Sequence, residues 1–255
     1  MNLKQLTSDR LFAQPLDKLV DFNFDEKVAN VFPDMINRSV PGYASIVAMT
    51  GILSAEFYQA NSYCYDLGCS LGASSLSMAK AIKDESLKII AVDNSQAMLA
   101  QAQLLLQQSD PESSVSGKGH INPIELICDD INNIDIANAS VVVMNFTLQF
   151  IAPENRAALL KKIYQGMKKN GILILSEKLN YTDAAQQKLL IDMHHFFKKA
   201  NGYSDLEISQ KRQTLENVLL PETLEQHKFR LQQAGFSQME QWFQCFNFSS
   251  LIAIK

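Results

Sequence analysis

The residues best suited to chemistry in this sequence lie between Cys64 and Ser75, in the stretch Cys-Tyr-Asp-Leu-Gly-Cys-Ser-Leu-Gly-Ala-Ser-Ser. Its first four residues are typical of a strand. Gly68 and Gly72 allow backbone to approach a bound molecule closely, and the small residues after them open a helix whose first amides are free. The pattern has no lysine of a phosphate loop and is not the Gly-x-Gly-x-x-Gly of dinucleotide folds. The stretch therefore predicts a nucleotide-binding loop between a strand and a helix.

The spacing Asp-x-Gly-x-Ser-x-Gly resembles that of S-adenosylmethionine-dependent enzymes, although a glycine pair after a strand can also be only a tight turn. Polar residues at the ends of later strands decide between these interpretations. Asp93 ends the second predicted strand, where a carboxylate can accept two hydrogen bonds from a ribose diol. Ligands of open parallel sheets bind beyond the carboxyl ends of the strands. We therefore expect one edge of the sheet to carry Gly68, Asp93, Asp130 and Asn145.

The hydrophobic pattern predicts strands that alternate with helices as far as residue 176, followed by a closing antiparallel pair at 239–246 and 248–254. A helix from Tyr43 to about residue 58 puts Tyr43 near the mouth of the ligand site. Another helix is predicted from Glu154 to Lys169. The chain is therefore predicted to be an α/β protein.

Two segments are additional to a minimal α/β sheet. Residues 1–42, which contain several prolines, are predicted to form short helical pieces that cap the core. Residues 179–220, here called the insertion, are predicted to be helical, and we expect one domain over residues 1–255. The insertion carries an apolar stripe that would serve either packing or a dimer contact, made of Leu189, Leu190, Met193, Phe196 and Phe197.

Composition limits the function further. The chain has 255 residues, 47% of them hydrophobic, and its 23 Lys and Arg against 27 Asp and Glu give a net charge of −4. A nucleic-acid-binding protein usually has an excess of basic residues, and this sequence has none. No leader pattern and no apolar run of roughly 18 residues occurs, so we expect a soluble cytoplasmic protein without direct membrane or nucleic-acid contacts.

His194 and His195 are adjacent and point about 100 degrees apart on a helix, so no metal site is expected.

Several blocks together resemble the carboxy-S-adenosyl-L-methionine synthases, relatives of class I methyltransferases that serve tRNA wobble-uridine modification. The resemblance covers nearly the whole chain. The blocks that carry it are Val31-Phe-Pro-Asp-Met-Ile-Asn-Arg-Ser-Val-Pro-Gly-Tyr43, Tyr65-Asp-Leu-Gly-Cys-Ser-Leu-Gly72, Asn145-Phe-Thr-Leu-Gln-Phe150, Asn201-Gly-Tyr-Ser-Asp-Leu-Glu-Ile-Ser-Gln-Lys-Arg212 and Trp242-Phe-Gln-Cys-Phe-Asn-Phe248.

This resemblance implies a class I methyltransferase-like, Rossmann-like fold: a seven-stranded, mostly parallel sheet with an antiparallel last strand, an N-terminal helical cap and a helical insertion after the fifth strand. It implies an enzyme that converts S-adenosyl-L-methionine and prephenate into carboxy-S-adenosyl-L-methionine and phenylpyruvate. The product would supply a tRNA carboxymethyltransferase for 5-oxyacetyl modification of the wobble uridine. A homodimer is also implied.

The resemblance also implies roles for individual residues. Arg212 would clamp the added carboxylate, because a guanidinium offers two parallel N–H donors to a carboxylate, and it is the candidate catalytic residue. Cys69 is expected to pack against the ligand and not to act as a nucleophile. The residues that would hold the nucleoside and amino-acid parts are Tyr43, Gly68, Cys69, Ser70, Asp93, Asn94, Asp130, Ile131 and Asn145.

The sequence is also compatible with two other functions. The superfamily loop alone also fits an ordinary methyltransferase of a small molecule or RNA, which would release S-adenosylhomocysteine. A binding protein that stores or delivers a modified cofactor would instead retain a ligand without turnover.

Overall fold

The computed structural model describes residues 8–16, 18–109 and 123–255. Within them, seven strands form one sheet in the order β3-β2-β1-β4-β5-β7-β6. Neighbours among the first five strands are parallel, and β7 runs antiparallel to both β5 and β6. The predicted seven-stranded, mostly parallel sheet with an antiparallel last strand is confirmed. The elements are α1 (Glu26–Ser39), α2 (Tyr43–Phe57), β1 (Tyr63–Leu67), α3 (Ala73–Ala81), β2 (Lys88–Asp93), α4 (Gln96–Ser109), β3 (Ile124–Cys128), β4 (Ala139–Asn145), α5 (Pro153–Gly166), β5 (Met167–Lys178), α6 (Ala184–Ala200), α7 (Asp205–Leu215), α8 (Leu224–Ala234), β6 (Gln238–Cys245) and β7 (Phe248–Ile254).

The sheet is buried on both faces, as its near-continuous apolar strands require. Along β4, Val142 and Met144 belong to a core that includes Leu160 of α5. Val141 and Val143 point to the opposite side and belong to a core with helices α2 and α3. This alternation follows from the two-residue period of a strand.

The strand order reverses at β1, because β2 and β3 lie on one side of it and β4 and β5 on the other. Helices that leave β1 and β4 therefore diverge to opposite faces of the sheet. The carboxyl ends of these two strands form the crevice in which open α/β sheets bind their ligands. The glycine loop, residues 68–72, lies directly after β1.

The prediction that prolines break the N-terminal segment into short helical pieces is wrong at Pro33, which lies inside the 14-residue helix α1, but it is confirmed at Pro41, which follows the end of α1 and precedes α2. Asp25 caps its start by accepting a hydrogen bond from the Val28 amide at 3.0 Å. Val31 and Met35 are buried in a core shared with α4. Tertiary packing of this apolar face outweighs the hydrogen bond that a proline removes.

The helix predicted over 154–169 is also wrong at its end, because α5 stops at Gly166 and β5 starts at Met167. A side chain at Gly166 would place its Cβ 2.0 Å from the Ile136 carbonyl oxygen, so the chain turns where only glycine fits. Asn170 has a positive φ of 62°, and its amide donates to the Lys255 carbonyl at 2.7 Å. Pairing with the neighbouring strands thus places residues 167–169 in β5, although the pattern assigned them to the helix.

The insertion is helical, as predicted, and consists of α6 and α7. A capping box fixes the start of α7, where Ser204 and Glu207 exchange side-chain and backbone hydrogen bonds. In the apolar stripe, Leu189 and Phe196 remain 56% and 60% exposed. The polar composition of the stretch from Ser109 to His120 predicts a loop, and all of that stretch except Ser109 lies outside the described residues.

Among the described residues, no single helix is long and apolar enough to cross a membrane. Helices α1 and α2 together pass this test by length and composition, but they are bent by 97° at the break between them.

Candidate functional site

A cavity of about 440 Å³ lies beyond the carboxyl ends of the parallel strands, and α1, α6 and α7 contribute to its walls. Nine of the ten candidate residues line it, so the expected convergence of strand-end residues is observed. Arg212 does not line it: the residue is exposed on α7. The nine lining candidates are Tyr43, Gly68, Cys69, Ser70, Asp93, Asn94, Asp130, Ile131 and Asn145.

The glycine loop has a backbone that only glycine adopts without strain. Gly68 has a φ of 79°, and a Cβ there would lie 2.3 Å from the hydroxyl oxygen of Thr147. The amides of Gly68 and Cys69 both donate to the Val92 carbonyl, at 2.8 and 2.9 Å, and tie the loop to β2. Helix α3 then starts without a side-chain cap, so the amides of Ala73 and Ser74 remain available to a ligand, while the backbone of Ser75 hydrogen-bonds to Asp66.

Asp93 holds the loop from the tip of β2. One carboxylate oxygen accepts a hydrogen bond from the Ser70 amide and the other from the Ser95 amide, each at 2.9 Å. Burial raises the pKa of Asp93, and the two backbone hydrogen bonds oppose that rise. Each oxygen keeps a free lone pair, so the carboxylate can still accept hydrogen bonds from a diol.

Asn145 has a structural role that its position in the sequence did not reveal. Its amide donates to the hydroxyls of Thr50 and Ser74 at 3.1 and 2.9 Å, and its oxygen accepts from Ser176 at 2.6 Å. The side chain therefore joins β4 to α2, α3 and β5 at the floor of the cavity. Both amide hydrogens are used, so only its oxygen can make a further contact with a ligand.

Asp66 lines the cavity and was not among the sequence candidates. It is 2% exposed, and the Ser75 hydroxyl donates to it at 2.5 Å. Burial raises its pKa to about 6, while the Ser75 hydrogen bond opposes the rise. A buried carboxylate here would stabilise a positive group on a ligand. The acid at the head of the Asp-x-Gly pattern is the signal that could have identified it.

Asp130 and Ile131 line the cavity beyond the glycine loop. An oxygen of Asp130 accepts from the backbone and the side-chain amide of Asn132, both at 2.8 Å, and is thereby fixed in position. Ile131 is buried and supplies an apolar wall. A polar rim beside an apolar wall suits a flat heterocycle with exocyclic hydrogen-bonding groups.

Cys69 and His194 line the cavity as neutral groups. Burial raises the pKa of Cys69 well above its ordinary value, and the charges of Asp66 and Asp93 raise it further, so its thiol stays protonated. Burial, Lys198 and Lys178 lower the pKa of His194 to about 2, and this neutral ring donates from Nε2 to the Ser39 carbonyl at 2.8 Å. Within the described ranges no three His, Cys, Asp or Glu residues are grouped to hold a metal.

The end of the cavity next to the insertion is basic. Lys178 from β5, Lys198 from α6 and Lys211 from α7 all line it. None was a sequence candidate, and only Lys211, adjacent to Arg212 in one of the quoted blocks, gave a signal. One cavity thus holds carboxylates at the glycine-loop end and amines at the insertion end.

An unsatisfied polar atom tests whether S-adenosylmethionine fits. The Ser70 hydroxyl is buried in the loop and has no hydrogen-bond partner among the described residues. Buried polar groups are normally hydrogen-bonded, so this hydroxyl suits a polar group of a ligand. With the free amides of α3 and the acid at Asp93, the loop can take a nucleoside with an amino-acid tail.

Comparisons with known proteins agree with this geometry. Residues 65–171 match a family model described as a methyltransferase domain. Over 248 residues the chain is 56% identical to a carboxy-S-adenosyl-L-methionine synthase from Geobacter sp. (strain M21), covering 97% of this chain and 98% of that protein. A carboxy-S-adenosyl-L-methionine synthase from Pasteurella multocida (strain Pm70) is 54% identical over 250 residues, covering 98% of this chain and all of that protein.

Solved structures show the same fold. A putative S-adenosyl-L-methionine-dependent methyltransferase from Methanococcus maripaludis has a TM-score of 0.57 at 21% identity and covers 95% of this chain and 97% of its own. An O-methyltransferase family protein from Burkholderia thailandensis has a TM-score of 0.63 at 15% identity, with 91% of this chain matched to 60% of its own. The class I methyltransferase-like architecture expected from the sequence is therefore confirmed.

The two glycines of the loop allow a matched test. Both have a φ of 79°, so an alanine at either costs roughly 1–2 kcal/mol of left-handed backbone strain. Gly68→Ala also collides with Thr147, whereas a Cβ at Gly72 meets nothing closer than 3.9 Å. We expect Gly68→Ala to weaken S-adenosylmethionine binding by about tenfold or more beyond Gly72→Ala, since overpacking adds about 1–3 kcal/mol. Isothermal titration calorimetry measures the difference.

Adding Thr147→Ala to Gly68→Ala should recover part of the lost affinity, because it removes the two nearest atoms of the collision. Equal losses in the two single variants would contradict the close approach of Thr147 to the loop.

Proposed function

This chain belongs to the carboxy-S-adenosyl-L-methionine synthase family, and from that premise we propose that its cavity combines S-adenosyl-L-methionine with the carboxyl group of prephenate. The products are carboxy-S-adenosyl-L-methionine and phenylpyruvate. The observation that carries the proposal is the division of one cavity into a carboxylate end and an amine end. The sulfonium and amino group of one substrate are complementary to the first, and the carboxylates of the other to the second.

The proposed reaction balances without a third reactant. Prephenate loses its ring carboxyl group as carbon dioxide and its ring hydroxyl group as hydroxide, and its ring becomes aromatic. The hydroxide removes one proton from the sulfonium methyl group and becomes water. The electron pair left on that carbon forms a bond to the carbon of carbon dioxide. The protein's part is to hold the two substrates in contact and to keep water out, so the proposal needs no general base from the chain.

We also propose that the product leaves for a tRNA carboxymethyltransferase, which uses it to build the 5-oxyacetyl group of the wobble uridine. The net charge of −4 supports a division of labour in which this chain does not bind the RNA itself.

The decisive test is a product assay. Purified protein incubated with S-adenosyl-L-methionine and prephenate should form a species heavier by one carboxyl group, together with phenylpyruvate, as measured by liquid chromatography and mass spectrometry. Omission of prephenate should abolish both products, and Gly68→Ala should reduce both together. Release of S-adenosylhomocysteine with a methylated acceptor would instead identify an ordinary methyltransferase, and a retained ligand without turnover would identify a carrier.

Arg212 is proposed as the clamp for the new carboxylate. Its guanidinium is exposed on α7, yet burial and the nearby charge of Arg212 together lower the pKa of Lys178 to about 8. The arginine therefore lies near the amine end, and it can serve as the clamp either by moving onto the ligand of its own subunit or by reaching the ligand of a partner subunit in the proposed homodimer. An exposed guanidinium loses little hydration until that ligand arrives, which suits a group that engages late.

Arg212→Leu should leave the dissociation constant of S-adenosyl-L-methionine unchanged. It should weaken carboxy-S-adenosyl-L-methionine by about tenfold or more, the effect of losing a charge-assisted hydrogen bond. Calorimetric titration with both ligands measures this, and Lys161→Leu, an exposed cation on α5, is the control for net charge. The clamp is refuted if Arg212→Leu weakens the two ligands equally.

A homodimer is proposed through the apolar stripe of α6, because Leu189 and Phe196 expose apolar surface on the same helix. Phe196→Glu should convert the dimer to a monomer in analytical ultracentrifugation, since a buried unpaired carboxylate is costly at an interface. Phe229→Glu on α8 is the matched control, because Phe229 is 64% exposed and lies outside the stripe. Dissociation by the control as well would place the contact elsewhere.

A further inference from the structure

The amines at the insertion end of the cavity are short of negative partners. Lys198 and Lys211 are 8% and 6% exposed. Lys211 lies 3.7 Å from Asp9 and donates to the Ser39 hydroxyl at 3.1 Å. Within the described part of the chain, neither Lys178 nor Lys198 lies within ion-pair distance of a carboxylate. Buried cations are normally paired with anions, and within the described residues these three amines have one carboxylate partner, Asp9.

The neighbouring groups do not supply the missing charge. His194 is neutral and is held by the Ser39 carbonyl. Arg38 adds a further positive charge, but its own partner is Asp34 at 3.0 Å. The one carboxylate of Asp9 against three amines leaves two positive charges without a counterion when all three are protonated.

We propose that Lys178, Lys198 and Lys211 form a subsite for a dicarboxylate, and that the carboxyl-donating substrate binds there through its two carboxylates. This inference rests on the proposed function and adds to it the residues that take the second substrate. The two unbalanced charges match a dianion, and the amines come from three elements, β5, α6 and α7, that line the same cavity. A lysine is a compact cation with three donors, so the cluster can accept two carboxylates without a fixed bidentate geometry.

The protonation of these three lysines gives a second, independent test of the subsite. Burial and then the charges of Lys211 and Lys178 lower the pKa of Lys198 to about 7, and burial lowers the pKa of Lys178 and Lys211 to about 8. An anion favours the ammonium forms, so its binding must raise these pKa values and take up protons. Affinity for the dianion should therefore fall as the pH rises through 7 to 8. The other charged or titratable groups that face the three amines are Asp9, Asp34, Arg38, His194, His195, Tyr203 and Arg212.

The test uses Lys198→Met and Lys178→Met, which remove amines that have no carboxylate partner and so leave no buried acid unpaired. Each should raise the KM for prephenate by roughly tenfold or more, as expected for one lost charge-assisted hydrogen bond, and leave the KM for S-adenosyl-L-methionine unchanged. Lys198→Arg should restore part of the prephenate affinity. Lys199→Met, the next residue on α6 with a partly exposed side chain paired to Asp205, is the matched control and should match the wild type.

Binding without turnover separates this inference from the proposed function. Prephenate should raise the Tm of the wild type more than the monocarboxylate phenylpyruvate does, and this difference should vanish in Lys198→Met and Lys178→Met. Calorimetry at pH 7.5 in buffers of different ionisation enthalpy should show proton uptake in the wild type and less in the variants.

The outcomes are distinct. Wild-type protein that forms carboxylated product while both lysine variants keep the wild-type KM for prephenate would overturn the subsite and leave the proposed function standing. Lysine-dependent stabilisation by prephenate without any carboxylated product would support the subsite and refute the proposed function. A rise of both KM values in every variant, Lys199→Met included, would also overturn the subsite.

Discussion

The structure depends on one constraint: the polar groups at the carboxyl ends of the central strands of an open parallel sheet need hydrogen-bond partners and cover from solvent. Backbone and charged groups at that edge cannot remain buried without partners. Asn145 meets part of this requirement by joining four elements at the floor of the cavity. Glu177 meets another part, because its two oxygens accept the amides of Leu148 and Gln149 at 2.9 and 3.0 Å and fix the turn after β4. The cavity walls are built on this hydrogen-bonded floor.

The insertion is attached to the sheet by a second polar network. Arg156 of α5 is fully buried, pairs with Glu222 at 2.6 Å and donates to the Leu220 carbonyl at 2.9 Å. Leu179, the first residue of the insertion, and Glu222, two residues after its end, also form an isolated parallel bridge. Both ends of the insertion are thus held beside β5, which places α6 and α7 over the ligand crevice. The amine end of the cavity follows from this attachment.

Local patterns were sufficient to predict the glycine loop, the strand-end residues and the sheet. Asp93 and Asn145 could be placed because the position of a residue at a strand end depends only on the strand itself. The continuous helix through Pro33 could not be predicted, since it depends on packing against α4. The three lysines were missed for a related reason: a lysine is normally solvated, and only the meeting of β5, α6 and α7 brings these three into one cavity. Arg212 came from family resemblance and not from its local pattern.

The contacts of the N-terminal segment bear on the order in which the protein can fold during synthesis. The Tyr203 hydroxyl donates to Asp9 across 194 residues of sequence, and Gln210 of α7 donates to the Phe12 carbonyl across 198. Strands β1 to β4 lie between these partners and can pair while the ribosome is still extending the chain. Asp9, although translated early, finds its cationic partner only after α7 has left the exit tunnel. A nascent chain that stops before α7 therefore carries the residues of the glycine loop but neither Lys211 nor Gln210, so the residues at the glycine-loop end of the cavity are complete earlier in biosynthesis than those at the amine end.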